Sequence, residues 1–297
     1  MTIRPEPAPS VATRLLPRCR FPPAATPVTC AVSGGADSLA LLVLAVAAGC
    51  EVTAVHVDHG SRVGSAAEAQ VVAAAATRFG AAFDSRRVAV EPGPNFEARA
   101  RQARYAVLPP GVLTGHTADD QAETVLLNLI RGAALDGLAG MRAEGRPLLR
   151  LRRHETEQLC TELGLEPLVD PSNADPRHRR NRIRHEALPL LDDIARRDVA
   201  PLVARQAELV RDAVDHLAAE AAPLDPTDAR ALASAPVALA RVAIRRWVSD
   251  AAGLDHPVDS AAVQRVLEVA TGTAKAADVT GGWQVRRSDS RLRLEHR

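Results

Sequence analysis

The sequence predicts an α/β chain: a parallel sheet wound with helices, then a helical linker and a small C-terminal α+β module. Three observations carry this prediction. From residue 28 to residue 131, short β-prone runs alternate with helix-prone runs, the pattern of βαβ units with parallel strands. The pair Gly34-Gly35 sits where the first strand gives way to the first helix. After Gly132 the alternation stops, and the chain is mostly helical until two β-prone runs near its end.

The elements follow in order. Residues 1–27 hold Pro5, Pro7, Pro9, Pro17, Pro22, Pro23 and Pro27, which predicts a loosely ordered lead-in with one short helical piece. Val28–Val32 is the first strand and Asp37–Ala48 an apolar helix. Val52–Val57 is the second strand, Ser65–Phe79 an alanine-rich helix and Phe83–Val90 the third strand. Phe96–Leu108 is a helix, Val112–Gly115 a fourth strand and Ala118–Arg131 a helix. Right-handed crossovers are expected between the parallel strands. Leu148–Leu151 reads as one further strand, and Glu155–Leu163 as a helix stopped by Gly164. Residues 183–222 read as helix broken at Pro189 and Pro201. Beyond them, Val237–Ala251 and Ser260–Ala270 are helices, and Val279–Val285 pairs with Arg291–Glu295 as a hairpin. The expected divisions are a lead-in (1–27), a main domain (28–195), a helical linker (196–222) and a small module (223–297).

Composition excludes several classes of function. With 46% hydrophobic and 25% charged residues the chain is globular, not disordered. Its longest apolar run, Leu39–Cys50, is too short to span a bilayer. No signal-like run opens the chain, so the expectation is a cytoplasmic protein with no membrane partner. Cys19, Cys30, Cys50 and Cys160 are widely separated, which disfavours zinc sites, redox pairs and disulfide scaffolds. Lys275 is the single lysine, leaving no P-loop lysine, and aromatics at 2% cannot form a stacking platform for single-stranded nucleic acid. A net charge of +1 hides clustering: residues 176–185 hold five arginines and no acid, and Arg142, Arg146, Arg150, Arg152 and Arg153 form a second run. Arginine forks match phosphate, so both runs are candidate RNA-backbone contacts.

Three segments carry chemistry, and in an open α/β sheet all three reach the carboxyl rim of the strands. Ser33-Gly34-Gly35-Ala36-Asp37-Ser38 joins a strand to a helix. Glycines let backbone N–H groups approach an anion, and the helix N-terminus adds its positive dipole end, so the loop is a phosphate cradle. The bland alternative is an ordinary strand–helix turn capped by Asp37 or Ser38. His56-Val57-Asp58-His59 ends the second strand, and alone it is a polar loop more often than a site. Residues 114–124 follow the fourth strand and place His116, Asp119, Asp120 and Glu123 at the first turn of a helix. Acids there serve the helix dipole, and Thr117 with Asp120 fits a capping box. Three acids and a histidine facing a phosphate cradle exceed what capping needs, and carboxylates there suit Mg²⁺ or proton transfer from an attacking amine.

With these pieces in order, the chain resembles the N-type ATP pyrophosphatases and, within them, the tRNA(Ile)-lysidine synthetase family. The residues carrying the resemblance are Ala31–Leu42, His56–Arg62, Asn95–Tyr105, Thr114–Met141 and Asp170–His185. The loop marks only the superfamily, whereas Gly115–Thr124 with Arg180–His185 is far more specific. Thr117 departs from the pattern, since many members carry a second histidine there. The resemblance implies a Rossmann-like fold of the adenine nucleotide alpha hydrolase type, with an ATP pyrophosphatase domain at 28–195 and a tRNA-binding module at 223–297. It implies ATP as substrate, Mg²⁺, free lysine and an isoleucine tRNA with a CAU anticodon. The wobble cytidine would be adenylated at O2, and lysine would then displace AMP, changing codon reading from AUG to AUA. Ser33, Gly34, Gly35, Ala36, Asp37 and Ser38 would hold the phosphates, with Asp37 as first-choice Mg²⁺ ligand. Ala31 and Val57, with Asp58 and His59, would hold the adenosine side. Asp37, His116, Asp120 and Glu123 would be catalytic, with Asp37, Asp120 or Glu123 binding and deprotonating the lysine amine. Arg99, Arg104, Arg182, Arg184 and His185 would contact tRNA. A C₂ homodimer is the default assembly. The rival readings are a tRNA thiolase, a small-molecule amide ligase and a non-catalytic nucleotide-binding module.

Overall fold

β1 (Pro27–Ala31), β2 (Glu51–Asp58) and β3 (Ala82–Arg87) form a parallel sheet in that order. The register sets Ala31 opposite Val55 and Val57 opposite Arg86. This computed structural model describes residues 10–58, 65–89, 93, 96–169, 175–253 and 258–297. His59 therefore lies outside the described residues, as do residues 170–174 of the expected Asp170–His185 segment. Between the strands run α2 (Ala36–Ala47) and α3 (Ser65–Phe79), as the alternating pattern requires. Leu39, Leu41, Leu42 and Leu44 of α2 are all fully buried. A helix apolar on every side belongs inside the core, and α2 packs there against Val52, Ala54 and Val72.

Three expectations about local structure are corrected. The short helical piece expected in the lead-in is present as α1 (Ser10–Leu15), but it is not loose: it buries Val11, Ala12 and Leu15 in the same core. The fourth strand shrinks to one parallel bridge between Leu113 and Cys30, because Thr114 N–H turns away to Gly145 O at 2.8 Å. Leu148–Leu151 is a turn closed by Leu151 N–H to Leu148 O at 2.8 Å, not a strand. Both leucines are fully buried, which an i, i+3 turn achieves and an alternating strand does not.

Further along come α4 (Phe96–Ala106), α5 (Ala118–Ile130), a single helical turn α6 (Leu135–Leu138) and α7 (Arg153–Glu162). Residues 179–195 comprise α8 (Arg179–Arg182), a π-helical turn Ile183–Ala187 and α9 (Leu188–Ala195). Pro189 has no N–H to give the preceding turn, and the Leu188 N–H reaches back to Ile183 O instead. α10 spans Ala200–Ala221.

The chain divides into two compact units, Met1–Leu127 with Met141–Arg205, and Asn128–Gly140 with Gln206–Arg297. The division falls at residue 205, inside α10, and not at 195 and 222. Residues 128–140, expected in the first domain, group with the second unit, where Arg245 donates to Asp136 at 3.1 Å. The second unit holds α11 (Ala229–Ser234), α12 (Val237–Ala251), α13 (Ser260–Thr271) and an antiparallel sheet. That sheet is β4 (Ala276–Asp278), β5 (Trp283–Ser288) and β6 (Arg291–His296), in that order. The expected hairpin is present with its first strand shifted, since Thr280–Gly282 forms a turn. Among the described residues, no helix is long and apolar enough to cross a membrane.

Candidate active site

The glycine loop leaves β1 and enters α2. Ser33 N–H bonds Ser38 Oγ at 3.1 Å, and Ser38 Oγ–H donates to Gly35 O at 2.8 Å. Ser33 is thus used in holding the loop. Among the described residues, no acceptor meets the N–H groups of Gly34, Gly35, Ala36 and Asp37. They form an electropositive cradle at the start of α2. Gly34 needs to be glycine: its φ is +88°, and a Cβ there would lie 2.6 Å from Leu168 Cδ1.

A second glycine brings the acid segment alongside. A Cβ on Gly115 would lie 2.5 Å from Asp37 O, so only glycine lets the chain before α5 touch the first turn of α2. His116 follows, its Nδ1 2.8 Å from Thr114 Oγ1. Thr117 is the residue before α5, and its N–H and Oγ1–H both reach Asp120 Oδ2, at 2.9 and 3.1 Å. That is one half of the expected capping box, with the acid in the glutamate's place.

The acids do not face open solvent. Arg152 grips Asp119 through Nε and Nη2 at 3.0 and 2.9 Å, and Arg153 N–H adds 2.7 Å. The Arg153 guanidinium reaches Asp37 at 3.5 Å, Asp120 at 3.0 Å and Glu123 at 3.2 Å. Arg180 donates to Glu123 at 2.6 Å and Asp120 at 3.1 Å, and Arg184 donates to Glu123 at 2.6 and 3.1 Å. Glu123 is 0% exposed. Asp37 accepts from Thr156 Oγ1 on one oxygen and only the long Arg153 contact on the other. Of these four acids, it keeps the most acceptor capacity.

Comparison with known proteins fits this arrangement. Residues 12–191 match the family described as the PP-loop domain. A tRNA(Ile)-lysidine synthase from Nocardia farcinica is 45% identical over 256 residues, covering 80% of this chain and 80% of that one. This chain belongs to the tRNA(Ile)-lysidine synthase family. A second relative of the same name, from Mycobacterium leprae, is 44% identical over 73% of this chain and 73% of its own. Among solved structures, the U34-tRNA thiolase NcsA from Methanococcus maripaludis with its 4Fe–4S cluster aligns with a TM-score of 0.52. That alignment covers 68% of this chain and 78% of the other at 15% identity, a likeness of fold alone.

Electrostatics separates the acids of this lysidine synthase relative. Burial raises the Asp37 carboxyl to about 6, although the Thr156 hydroxyl and Arg153 work the other way. Burial also pushes Asp120 upward, but Arg153, Arg180 and His116 outweigh it and hold the group below the usual carboxylate range. Asp119 is likewise lowered: the Arg152 and Arg153 hydrogen bonds exceed the burial effect. Arg153 is held cationic by Asp120, Glu123 and Asp37 against the pull of its own burial.

The structure redistributes the expected site residues. Gly34, Gly35, Ala36, Asp37, Asp120 and Glu123 come together through Arg153. Ala31 and Val57 lie on neighbouring strands, and Asp58 ends β2. Arg184, expected to contact tRNA, is half-buried and donates to Glu123 at 2.6 and 3.1 Å. Arg182 is exposed and pairs with Glu186 at 2.7 Å. With His185, Pro176, Asn181 and Glu186, it lines a small cleft of about 170 Å³. Arg99 and Arg104 lie on α4, where the Arg104 guanidinium sits 5.7 Å from the Tyr105 ring. Sequence reasoning missed Arg153, Arg180 and Thr156 as site residues. The signal available was a buried-type position (Thr156 at i+3 from Arg153 on a helix) inside a run that reads as basic surface.

Proposed function

We infer that this chain is a carbon–nitrogen ligase that joins free lysine to C2 of the wobble cytidine in tRNA(Ile) with a CAU anticodon, using ATP. The observation that carries this is 45% identity across 80% of the chain to a tRNA(Ile)-lysidine synthase. In the first step the cytidine O2 attacks the α-phosphorus of ATP and pyrophosphate leaves. In the second the ε-amine of lysine attacks C2, and AMP departs with the original oxygen.

The chain's own groups fit parts of that chemistry. The amides of Gly34–Asp37 would receive the phosphates, including charge that develops on the leaving pyrophosphate. Among the described residues, no cluster of three or more His, Cys, Asp or Glu side chains could hold a metal ion. Mg²⁺ is commonly bound by one or two carboxylates plus substrate phosphates, and Asp37, with its spare acceptor capacity, would supply the carboxylate. When bound, the ion neutralises phosphate charge. Asp120 and Glu123, saturated by arginines, would fix Arg153, Arg180 and Arg184 beside the nucleotide. Those arginines and the half-buried His116 would then frame the reacting centre. Arg182, His185, Arg99 and Arg104 would take RNA phosphates, joined by the arginine-rich C-terminal sheet. A two-fold dimer in the cytoplasm is the assembly we expect.

The thiolase reading finds no support in the cysteines. Burial pushes the Cys30 and Cys160 thiols up to about 12, whereas sulfur chemistry needs thiolate. The test is AMP and pyrophosphate release from ATP with each substrate omitted in turn. Pyrophosphate release should require the CAU tRNA, and AMP release should require lysine as well. Equal release without tRNA would overturn the proposal.

A further inference from the structure

β2 carries one buried imidazole that the reaction above does not use. His56 is 1% exposed, its Nδ1 lies 3.0 Å from Val32 O, and its Nε2 is buried with no partner among the described residues. A carbonyl only accepts, so Nδ1 carries a proton and donates it to Val32 O. Buried polar side-chain atoms are normally bonded; this ring is held in the core for a single bond.

The position of that bond gives it a consequence. The β1–β2 ladder reaches Ala31 opposite Val55 and runs one bond further, Val32 N–H to Val55 O at 2.9 Å. In a parallel ladder the next bond would run from Val57 N–H to Val32 O. That bond is absent among the described residues, and His56 occupies the Val32 carbonyl instead. Val88 N–H bonds Asp58 O on the β3 side. Alternate residues point to opposite edges, so the N–H and C=O of Val57 face the β1 edge, where β1 has given way to the glycine loop. Neither has a hydrogen-bond partner among the described residues.

We propose that His56 is a positioning residue: by capping Val32 O it ends the β1–β2 ladder one bond early and keeps the Val57 peptide open as a donor–acceptor pair for the adenine edge. The proposal rests on the reading that Val57 meets adenine. An N–H beside a C=O complements adenine, whose N1 accepts and whose 6-amino group donates. It mismatches guanine, whose N1–H and O6 are reversed. Without the imidazole, Val32 O recruits Val57 N–H and the edge closes.

The full chain is assayed with CAU tRNA and lysine, using ATP or purine riboside 5′-triphosphate, which lacks the 6-amino group. The wild type should favour ATP in kcat/KM by roughly tenfold, the worth of one such hydrogen bond. His56→Leu should raise KM for ATP by roughly tenfold, lower kcat much less, and erase the preference. His56→Gln, whose amide can donate to Val32 O, should recover it. A folded His56→Leu protein that keeps the full preference overturns the role of His56 while leaving the Val57 reading intact, and a His56→Gln protein that behaves like the leucine variant does the same. A wild type with no preference overturns the Val57 reading and the proposal with it. A measurement independent of any variant is amide hydrogen exchange at Val57, fast without nucleotide and slowed by ATP. Slow exchange in the nucleotide-free protein would contradict the proposal.

Discussion

Glu123 has no exposed atom, yet three guanidinium groups converge on it, from Arg153, Arg180 and Arg184. Removing one partner of such a buried pair leaves charge uncompensated. Glu123→Gln should therefore cost roughly 3 kcal/mol of folding stability, read as a lower urea midpoint at unchanged slope. Asp37 behaves differently. Its carboxyl is raised from 3.8 to about 6 by burial, so the folded chain favours its protonated form. The resulting stabilisation is fully present below about pH 4 and is lost as pH rises through about 6. Relative to Asp37→Asn, the wild type should lose about 3 kcal/mol across that window, measured by denaturant titration at each pH. Gly115→Ala would set a methyl 2.5 Å from Asp37 O, so it should cost about 1–3 kcal/mol and most of the activity. The sequence marks Asp37, Asp120 and Glu123 as chemical by their clustering. It does not reveal that Arg153, Arg180 and Arg184 neutralise them, because those partners lie 30 to 116 residues away along the chain.

At the scale of elements, periodicity finds what local sequence dictates. α3 and α12 lie where their helix-prone apolar runs place them, α5 starts at the Thr117–Asp120 cap, and β1, β2 and β3 follow short β-prone runs. Leu113 and Leu148–Leu151 escape that logic. Both stretches are apolar, but the hydrogen bonds that decide between strand and turn come from Gly145 and from the local turn itself. The π-helical turn at Ile183–Ala187 has one visible cause, Pro189, whereas the bonds from Arg180 and Arg184 to Glu123 depend on packing that no window of sequence contains. Caps are simpler. Asp259 accepts from Ala262 N–H at 2.7 Å at the start of α13, so Asp259→Ala should lower stability by about 1 kcal/mol, seen as a reduced Tm.

Across the whole molecule, the even charge balance conceals two uses of arginine. Arg152, Arg153, Arg180 and Arg184 are consumed by the acids of the site. Arg182 is solvent-facing on the same basic segment. Arg182→Ala should weaken tRNA binding and reduce its salt slope by about 1, whereas Arg184→Ala should act through the acid cluster and leave that slope nearly unchanged. Nitrocellulose retention of labelled tRNA over a salt series separates the two. The two-unit division was only partly legible, since residues 128–140 join the second unit through Arg245, more than a hundred residues downstream. The central claim is lysine transfer to the wobble cytidine, and its most direct test is labelled lysine with ATP, Mg²⁺ and unmodified tRNA(Ile) bearing a CAU anticodon. The label should enter the RNA at position 34, and only with ATP present. Folded protein that leaves the RNA unlabelled while binding both tRNA and ATP would contradict the claim.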